Sequence, residues 1–174
     1  MFELQIPNGI EVHVEGNMVT VKGKNGSTTK KFSDKFVKIK VDGDKVVLNP
    51  TKEKRLLKKS LLAEKAFSTE LKSALEGVEN GYEKKLQIVS AHFPISLEVK
   101  GKIIFIKNIF GERIPRQVSI HGETKIEVKG QEVKVKGVDI YDVTQTIANI
   151  RKGCYACGKD TRVFQDGLYI VREE

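Results

Sequence analysis

The one motif in the chain that could support metal or thiol chemistry is the pair Cys154 and Cys157, spaced as Cys-x-x-Cys. Two thiolates supply half of the four ligands of a structural zinc site, and the sequence has neither a second Cys-x-x-Cys nor paired histidines. A thioredoxin-type pair opens a helix after a strand, where the helix dipole lowers the thiol pKa. This pair instead follows a predicted helix. We therefore predict no metal and no cofactor, with Cys154 and Cys157 kept only as weak candidates for metal ligands.

The other side chains capable of catalysis do not form an active-site pattern. The three histidines, His13, His92 and His121, have no cysteine or serine nucleophile near them in sequence. The chain has no Gly-x-Ser-x-Gly elbow, no His-Glu-x-x-His helix and no phosphate-binding glycine loop followed by Lys-Ser or Lys-Thr. The sequence therefore predicts a protein that is not an enzyme and has no catalytic residues.

Positive charge is the main chemical property of the chain. It carries 31 Lys and Arg against 23 Asp and Glu, a formal net charge of +8, which favours a nucleic-acid partner. Residues 1–81 contain fourteen lysines and one arginine, whereas residues 82–174 contain eleven lysines and five arginines. Because arginine can hold a phosphate with two parallel hydrogen bonds, we predict that the C-terminal half is the main RNA-binding part.

Four of the five arginines of the C-terminal half fall in two segments. One is the loop from Lys107 to Arg116, and the other is the tail from Arg151 to Arg162. A glycine-containing basic segment lets the backbone approach a phosphate, although a solvated basic face is the alternative, and Arg151 and Lys152 also suit a helix C-terminus. The first half has basic clusters at residues 22–40 and at Lys52, Lys54, Arg55, Lys58 and Lys59, which we interpret chiefly as solvated surface.

A repeated hairpin pattern positions these segments. The pattern Val-x-Gly-x-x-Val/Ile occurs four times between alternating apolar and polar residues, with its glycine at Gly16, Gly43, Gly101 and Gly130. Such a glycine accepts the positive φ of a tight turn, so each copy predicts a β-hairpin. Equivalent glycines are 85 and 87 residues apart, which indicates an internal duplication.

Helical periodicity follows the second hairpin of each half. The apolar stripe of the first helix begins at Leu57 and Leu61, and that of the second contains Ile147 and Ile150, with Asp139 placed as the N-cap. The predicted fold class is α+β, with two tandem repeats, each a mostly antiparallel β-sheet with one helix packed on one face. The predicted domains are an N-terminal module at 1–81 and a C-terminal module at 82–174 that ends in the basic tail.

The same features bear on localisation. The N-terminus shows no signal-peptide pattern, no apolar run is long enough for a membrane helix, and two cysteines form no disulfide framework. We therefore expect a cytoplasmic protein.

Several longer segments resemble one known family. They are residues 76–86, 91–94, 111–116, 145–150 and 162–171. In these segments the chain resembles the archaeal and eukaryotic branch of large-subunit ribosomal protein six, called L-six in bacteria and L-nine in eukaryotes. Residues 162–171, Arg-Val-Phe-Gln-Asp-Gly-Leu-Tyr-Ile-Val, form a long and specific match, whereas the first repeat matches only in pattern. Residues 151–161 depart from the family, because they carry two cysteines and Thr161 replaces the usual proline.

The resemblance implies a structural constituent of the large ribosomal subunit that binds large-subunit rRNA near the sarcin–ricin loop and the translation-factor site. Neighbouring ribosomal proteins would be further partners, with translation factors nearby, and no membrane or small-molecule substrate. The candidate RNA-binding residues are Lys107, Arg113, Arg116, Arg151, Lys152, Lys159, Arg162 and Gln165.

Two alternatives remain at this level: a repeat-built protein-interaction module without RNA, and a metal or thiol protein built on Cys154 and Cys157, neither of them on the ribosome. Co-sedimentation with the large subunit in a sucrose gradient separates the ribosomal hypothesis from both.

Overall fold

The structure divides between Gly81 and Tyr82 into two units, Met1–Gly81 and Tyr82–Glu174. The computed structural model describes residues 2–7, 9–43, 45–51 and 55–171, with the side chains of Phe2 and Asp42 left out. Lys52 and Lys54 of the first-half basic cluster, Asp44 of the second hairpin pattern and Arg172 of the C-terminal half lie outside the described residues. No helix in the described ranges is both long and apolar enough to cross a membrane.

The first unit combines two three-stranded antiparallel sheets with one helix. Its elements are β1 (Phe2–Gln5), β2 (Glu11–Glu15), β3 (Met18–Gly23), β4 (Gly26–Lys31), β5 (Val37–Asp42), β6 (Lys45–Pro50) and α1 (Leu57–Asn80). The sheets have the strand orders β2-β3-β4 and β1-β6-β5, and α1 contacts strands of both. The helix therefore covers a core to which both sheets contribute.

The second unit repeats this plan with one further strand. Its elements are β7 (Tyr82–Val89), β8 (Ser96–Lys100), β9 (Ile103–Lys107), a 3-10 turn (Ile109–Gly111), β10 (Arg116–Ser119), β11 (Lys125–Lys129), β12 (Glu132–Gly137), α2 (Ile140–Gly153) and β13 (Gly167–Ile170). The sheets have the orders β10-β9-β8 and β11-β12-β7-β13. The added strand, β13, pairs antiparallel with β7. The segment that follows the basic tail therefore lies in the same sheet as the first strand of the unit.

The strand orders of the two units correspond element by element. The strand orders within the two sheets of the first unit are β1-β6-β5 and β2-β3-β4. The corresponding strands of the second unit have the orders β7-β12-β11 and β8-β9-β10. The four repeat glycines, Gly16, Gly43, Gly101 and Gly130, all adopt φ between 54° and 60°. The α+β repeat prediction is confirmed, with the refinement that each half divides its strands between two sheets.

The helices pack through the apolar stripes that their periodicity predicts, except at the start of each helix, and Ile140 at the start of α2 is 38% exposed. Phe67 and Leu71 of α1 are buried, but Leu57 and Leu61 are 43% and 44% exposed. In these first turns the buried side is polar, because the Ser60 hydroxyl donates to the carbonyl of Thr51 at 3.0 Å. In α2 the Asp139 carboxylate accepts the backbone N–H of Tyr141 at 2.9 Å, which confirms the predicted cap.

Candidate RNA-binding surface of the second unit

The loop after β9 is anchored by two buried apolar residues. Ile109 and Phe110 are buried, and both Asn108 (φ 59°) and Phe110 (φ 50°) adopt left-handed backbone conformations. The Asn108 side chain also donates to the carbonyl of Pro94 at 3.1 Å. Arg113 and Ile114, at the outer end of the loop, are exposed. The loop is therefore an anchored segment that presents Arg113 to solvent.

Arg116 connects this loop to the tail. Its Nε and Nη2 donate to the two carboxylate oxygens of Glu112, the Nε contact measuring 2.8 Å. Its Nη1 donates to the carbonyls of Gly153 and Tyr155, each at 2.8 Å. Four hydrogen bonds from one guanidinium thus join the start of β10 to the end of α2 and the residues after it.

The charges around this junction stabilise one another. The hydrogen bond from Arg116 lowers the pKa of the Glu112 carboxyl against the opposing effect of desolvation, and the charges of Arg116 and Lys159 lower it further. The same hydrogen bond raises the pKa of Arg116. Glu112 is therefore ionised near neutral pH and is occupied by Arg116, while Lys159 is close enough to act on it.

The remaining predicted cations of the tail lie on the surface around the junction. Arg151 and Lys152 form the exposed last turn of α2, where cations also suit the helix dipole. The Lys159 ammonium lies 4.8 Å from the centre of the Phe164 ring. The loop and the tail, separate in sequence, are thus brought together through Arg116 and Glu112.

The other three predicted contacts have partners within the unit. Lys107 forms an ion pair with Glu98, and this hydrogen bond is the largest cause that lowers the pKa of Glu98. Arg162 has a side chain that is 90% exposed and lies 3.3 Å from Asp160. The Gln165 side chain donates to the carbonyl of Arg162 at 3.2 Å. Arg162 keeps most of its surface free, whereas Lys107 is shared with a carboxylate.

Sequence reasoning missed the residues that hold the tail in place. Asp166 is 3% exposed, and its Oδ1 accepts the backbone N–H groups of Ala91 and, at 3.2 Å, His92. The Phe164 ring packs edge-on against Phe110 with centroids 6.3 Å apart. Both residues lie in the family-like segment 162–171, so the resemblance marked the segment without revealing this role.

The two cysteines differ in their surroundings. Cys154 is buried, and burial raises the pKa of its thiol to about 11, whereas Cys157 is exposed. A thiol with that pKa carries little thiolate at neutral pH, and thiolate is the form that binds metals and attacks electrophiles. Over residues 2–7, 9–43, 45–51 and 55–171, no group of three or more His, Cys, Asp or Glu side chains is arranged to hold a metal ion.

Comparisons with known proteins identify relatives over nearly the full length. The family model described as "Ribosomal protein L6" matches residues 93–167. The chain is 38% identical over 170 residues to the large ribosomal subunit protein uL6 of Methanocella arvoryzae, covering 97% of this chain and 94% of the relative. It is 38% identical over 172 residues to the protein of that name from Methanobrevibacter smithii (99% and 95% covered). The Haloarcula marismortui protein of the same name is 36% identical over 171 residues (98% and 94% covered).

Proposed function

Because the chain belongs to the ribosomal protein L6 family, we propose that it is a structural, non-enzymatic constituent of the large subunit of cytoplasmic ribosomes. We further propose that it binds large-subunit rRNA mainly through the second unit, near the sarcin–ricin loop and the translation-factor site, beside neighbouring ribosomal proteins. The resemblance supplies this location, and the surface of the second unit supplies the chemistry.

The observation that carries the RNA-binding proposal is the junction at Arg116. It fixes the loop against the tail, so that exposed Arg113, Lys152 and Lys159 belong to one structured surface. RNA phosphates are neutralised by such cations, and cations held on a fixed backbone lose less entropy on binding than cations on a flexible tail. In this proposal Arg116 positions the surface, because four of its hydrogen bonds go to protein acceptors. Direct RNA contact by Arg116 stays a prediction of the sequence.

The decisive experiment measures association with the large subunit after charge reversal. The full-length variant Arg113→Glu, Lys152→Glu, Lys159→Glu should fail to co-sediment with large subunits in a sucrose gradient, because three phosphate contacts become repulsive. The matched control reverses three exposed first-unit lysines, Lys24, Lys35 and Lys38, and changes the net charge equally. We expect the control to sediment with the subunit. Equal loss of co-sedimentation in both variants would contradict the proposal that the second unit makes the main RNA contact.

The proposed location can be tested with the exposed thiol of Cys157. An iron–chelate probe attached there should cleave rRNA around the sarcin–ricin loop when the labelled protein is assembled into subunits. The control carries the probe at Lys35→Cys in a Cys157→Ser background and should give a different cleavage pattern. Cleavage by the Cys157 probe at a remote rRNA region would overturn the location and leave the subunit assignment intact.

A further inference from the structure

Tyr155 is an exposed aromatic residue on the second unit, and no contact among the described residues of the unit accounts for its exposure. Its side chain is 68% exposed, although its two neighbours, Cys154 and Ala156, are 8% and 9% exposed. The alternation of buried, exposed and buried residues fixes the direction of the Tyr155 side chain, because both neighbours are packed in the core of the unit. An aromatic ring is thus held out in water by its backbone.

Hydrogen bonds make this presentation rigid. The backbone N–H of Tyr155 donates to the carbonyl of Lys152 at 3.2 Å, and its carbonyl accepts Nη1 of Arg116 at 2.8 Å. Within the described part of the chain, no ring stacks on Tyr155 and no group hydrogen-bonds to its hydroxyl. The ring is therefore largely accessible to a partner, and its backbone loses little freedom when a partner binds.

The charges on the loop and tail favour RNA as the partner of Tyr155 over two kinds of protein segment. An acidic segment would need the cations but not the ring, and a neutral apolar segment would need the ring but not the cations. Arg113, Arg151 and Lys152 are exposed cations on the joined loop and tail. The carboxylates of the loop and the tail have cationic partners, because Glu112 pairs with Arg116 and Asp160 with Arg162. An exposed flat ring on a segment that also carries exposed cations matches a nucleotide, which presents a π-face and a phosphate together.

We propose that Tyr155 is a stacking platform for one unpaired base of the bound RNA. The exposed cations Arg113, Arg151 and Lys152 contact the phosphates that flank this base in the proposal. This inference rests on the proposed rRNA-binding function and adds the kind of nucleotide that the surface recognises. A base inside a regular duplex is already stacked on both faces, so the ring requires a base in a loop, a bulge or a strand end. Stacking reads no particular base, because every base has a π-face.

The test compares full-length variants for binding to a large-subunit rRNA transcript. Tyr155→Ala should weaken binding about 5- to 100-fold without changing its salt dependence, because stacking involves no counterion release. Tyr155→Phe should stay within about threefold of the unmodified chain, because the ring is retained. The matched control is Tyr141→Ala, which removes a tyrosine that is 57% exposed at the other end of α2, about 20 Å away along the helix. It should bind like the unmodified chain.

A second measurement reports stacking directly. The natural chain has no tryptophan, so Tyr155→Trp introduces a single fluorophore. Its emission should be quenched when the transcript is added, whereas the emission of Tyr141→Trp should not change. Failure of the unmodified chain to bind the transcript would overturn the RNA-binding function together with this inference. If the unmodified chain binds the transcript but Tyr155→Ala binds equally well, or the emission of Tyr155→Trp is not quenched, the stacking role alone would be overturned. The exposed ring would then be assigned to a contact with a neighbouring protein.

Discussion

Arg113 and Arg116 lie three positions apart in one basic loop and have different surroundings. Arg113 is exposed, while the Arg116 side chain is 24% exposed and makes hydrogen bonds to Glu112, Gly153 and Tyr155. Guanidinium groups suit both tasks, because their donors match a phosphate as well as a carboxylate with adjacent carbonyls. Residue type alone therefore cannot separate a phosphate contact from an internal brace.

Replacing each arginine by lysine distinguishes these roles while the charge is kept. Arg116→Lys should lower the free energy of unfolding by about 1–3 kcal/mol, because an ammonium cannot reproduce the bidentate bond to Glu112 together with the two carbonyl contacts. Arg113→Lys should change it by less than about 0.5 kcal/mol. Urea unfolding followed by circular dichroism measures both. Equal stabilities would mean that the Arg116 junction does not hold in solution.

The two thiols should also react differently. In the native chain one thiol should react rapidly with a disulfide reagent at mildly alkaline pH, because Cys157 is exposed. The second should react only on unfolding, because Cys154 is buried and burial raises its pKa to about 11. The Cys157→Ser variant should lose the rapid phase. A rapid phase that survives this substitution would show that Cys154 is accessible.

The raised pKa of Cys154 also predicts a loss of stability in alkali. The thiol's ordinary pKa is 9.0 and its folded value about 11, so the folded state favours the protonated form. The resulting stabilisation is present below about pH 9 and is lost as the pH rises through about 11. Between about pH 8 and pH 10.5, the unfolding free energy of the unmodified chain should therefore fall more than that of Cys154→Ala. Parallel pH profiles would argue against a buried, protonated thiol.

At the scale of elements, local patterns predict the hairpins and the helix cap, but packing decides which helix face is buried. The two-residue turns at Gly16 and Gly101 follow from a glycine between alternating strands, and both have the positive φ that such turns need. Leu57 and Leu61 continue an apolar pattern, yet they are exposed because Ser60 bonds to Thr51 on the inner side. Periodicity identifies a helix better than it identifies the buried arc at its end.

The contact between α2 and β10 offers a test of close packing. A Cβ added to Gly153 would lie 2.5 Å from a methyl group of Val118, which is buried in β10. Gly153→Ala should therefore lower the unfolding free energy by about 1–3 kcal/mol, as overpacking does. In a Val118→Ala background the same change should cost much less, because the colliding methyl is absent. Thermal unfolding of the four chains of this double-mutant cycle measures the coupling, and additive effects would contradict the close approach.

At the scale of the whole molecule, a duplicated fold carries different surfaces. Both units have the same strand order, and each contains two of the four repeated hairpins. The second unit adds β13 and the arginine-rich loop and tail. The first unit has a lysine-rich surface with a single arginine, Arg55. The shared fold therefore does not imply a shared task, and we assign the main RNA contact to the second unit only as part of the proposed function.

The salt dependence of RNA binding should reveal this difference between the units. Binding of the full chain to a large-subunit rRNA transcript should weaken steeply with salt, because neutralised phosphates release counterions. The variant Arg113→Gln, Lys152→Gln, Lys159→Gln should lower the slope of log affinity against log salt by about two. The matched variant Lys24→Gln, Lys35→Gln, Lys38→Gln should change the slope much less. Filter binding over a series of potassium concentrations measures the slopes, and equal reductions would distribute the contact over both units.

The features that the residue pattern predicts correctly are those that short-range rules control. Alternation with glycine predicts the hairpins, Asp139 predicts the helix start, the repeat spacing indicates a duplication, and residues 162–171 resemble the family. These inferences succeed because turn geometry and helix capping depend on neighbours within a few residues, and because long matched segments are specific.

Long-range packing determines which distant groups meet. Arg116 bonds to carbonyls 37 and 39 residues away, and Asp166 accepts backbone N–H groups of residues 74 and 75 positions before it. Every residue except proline offers the same backbone groups, so no sequence pattern specifies which ones a side chain will bind. The packing of α2 and the pairing of β13 with β7 bring these partners together. That packing also turns Arg116 inward, joins the loop to the tail and holds Tyr155 out in water.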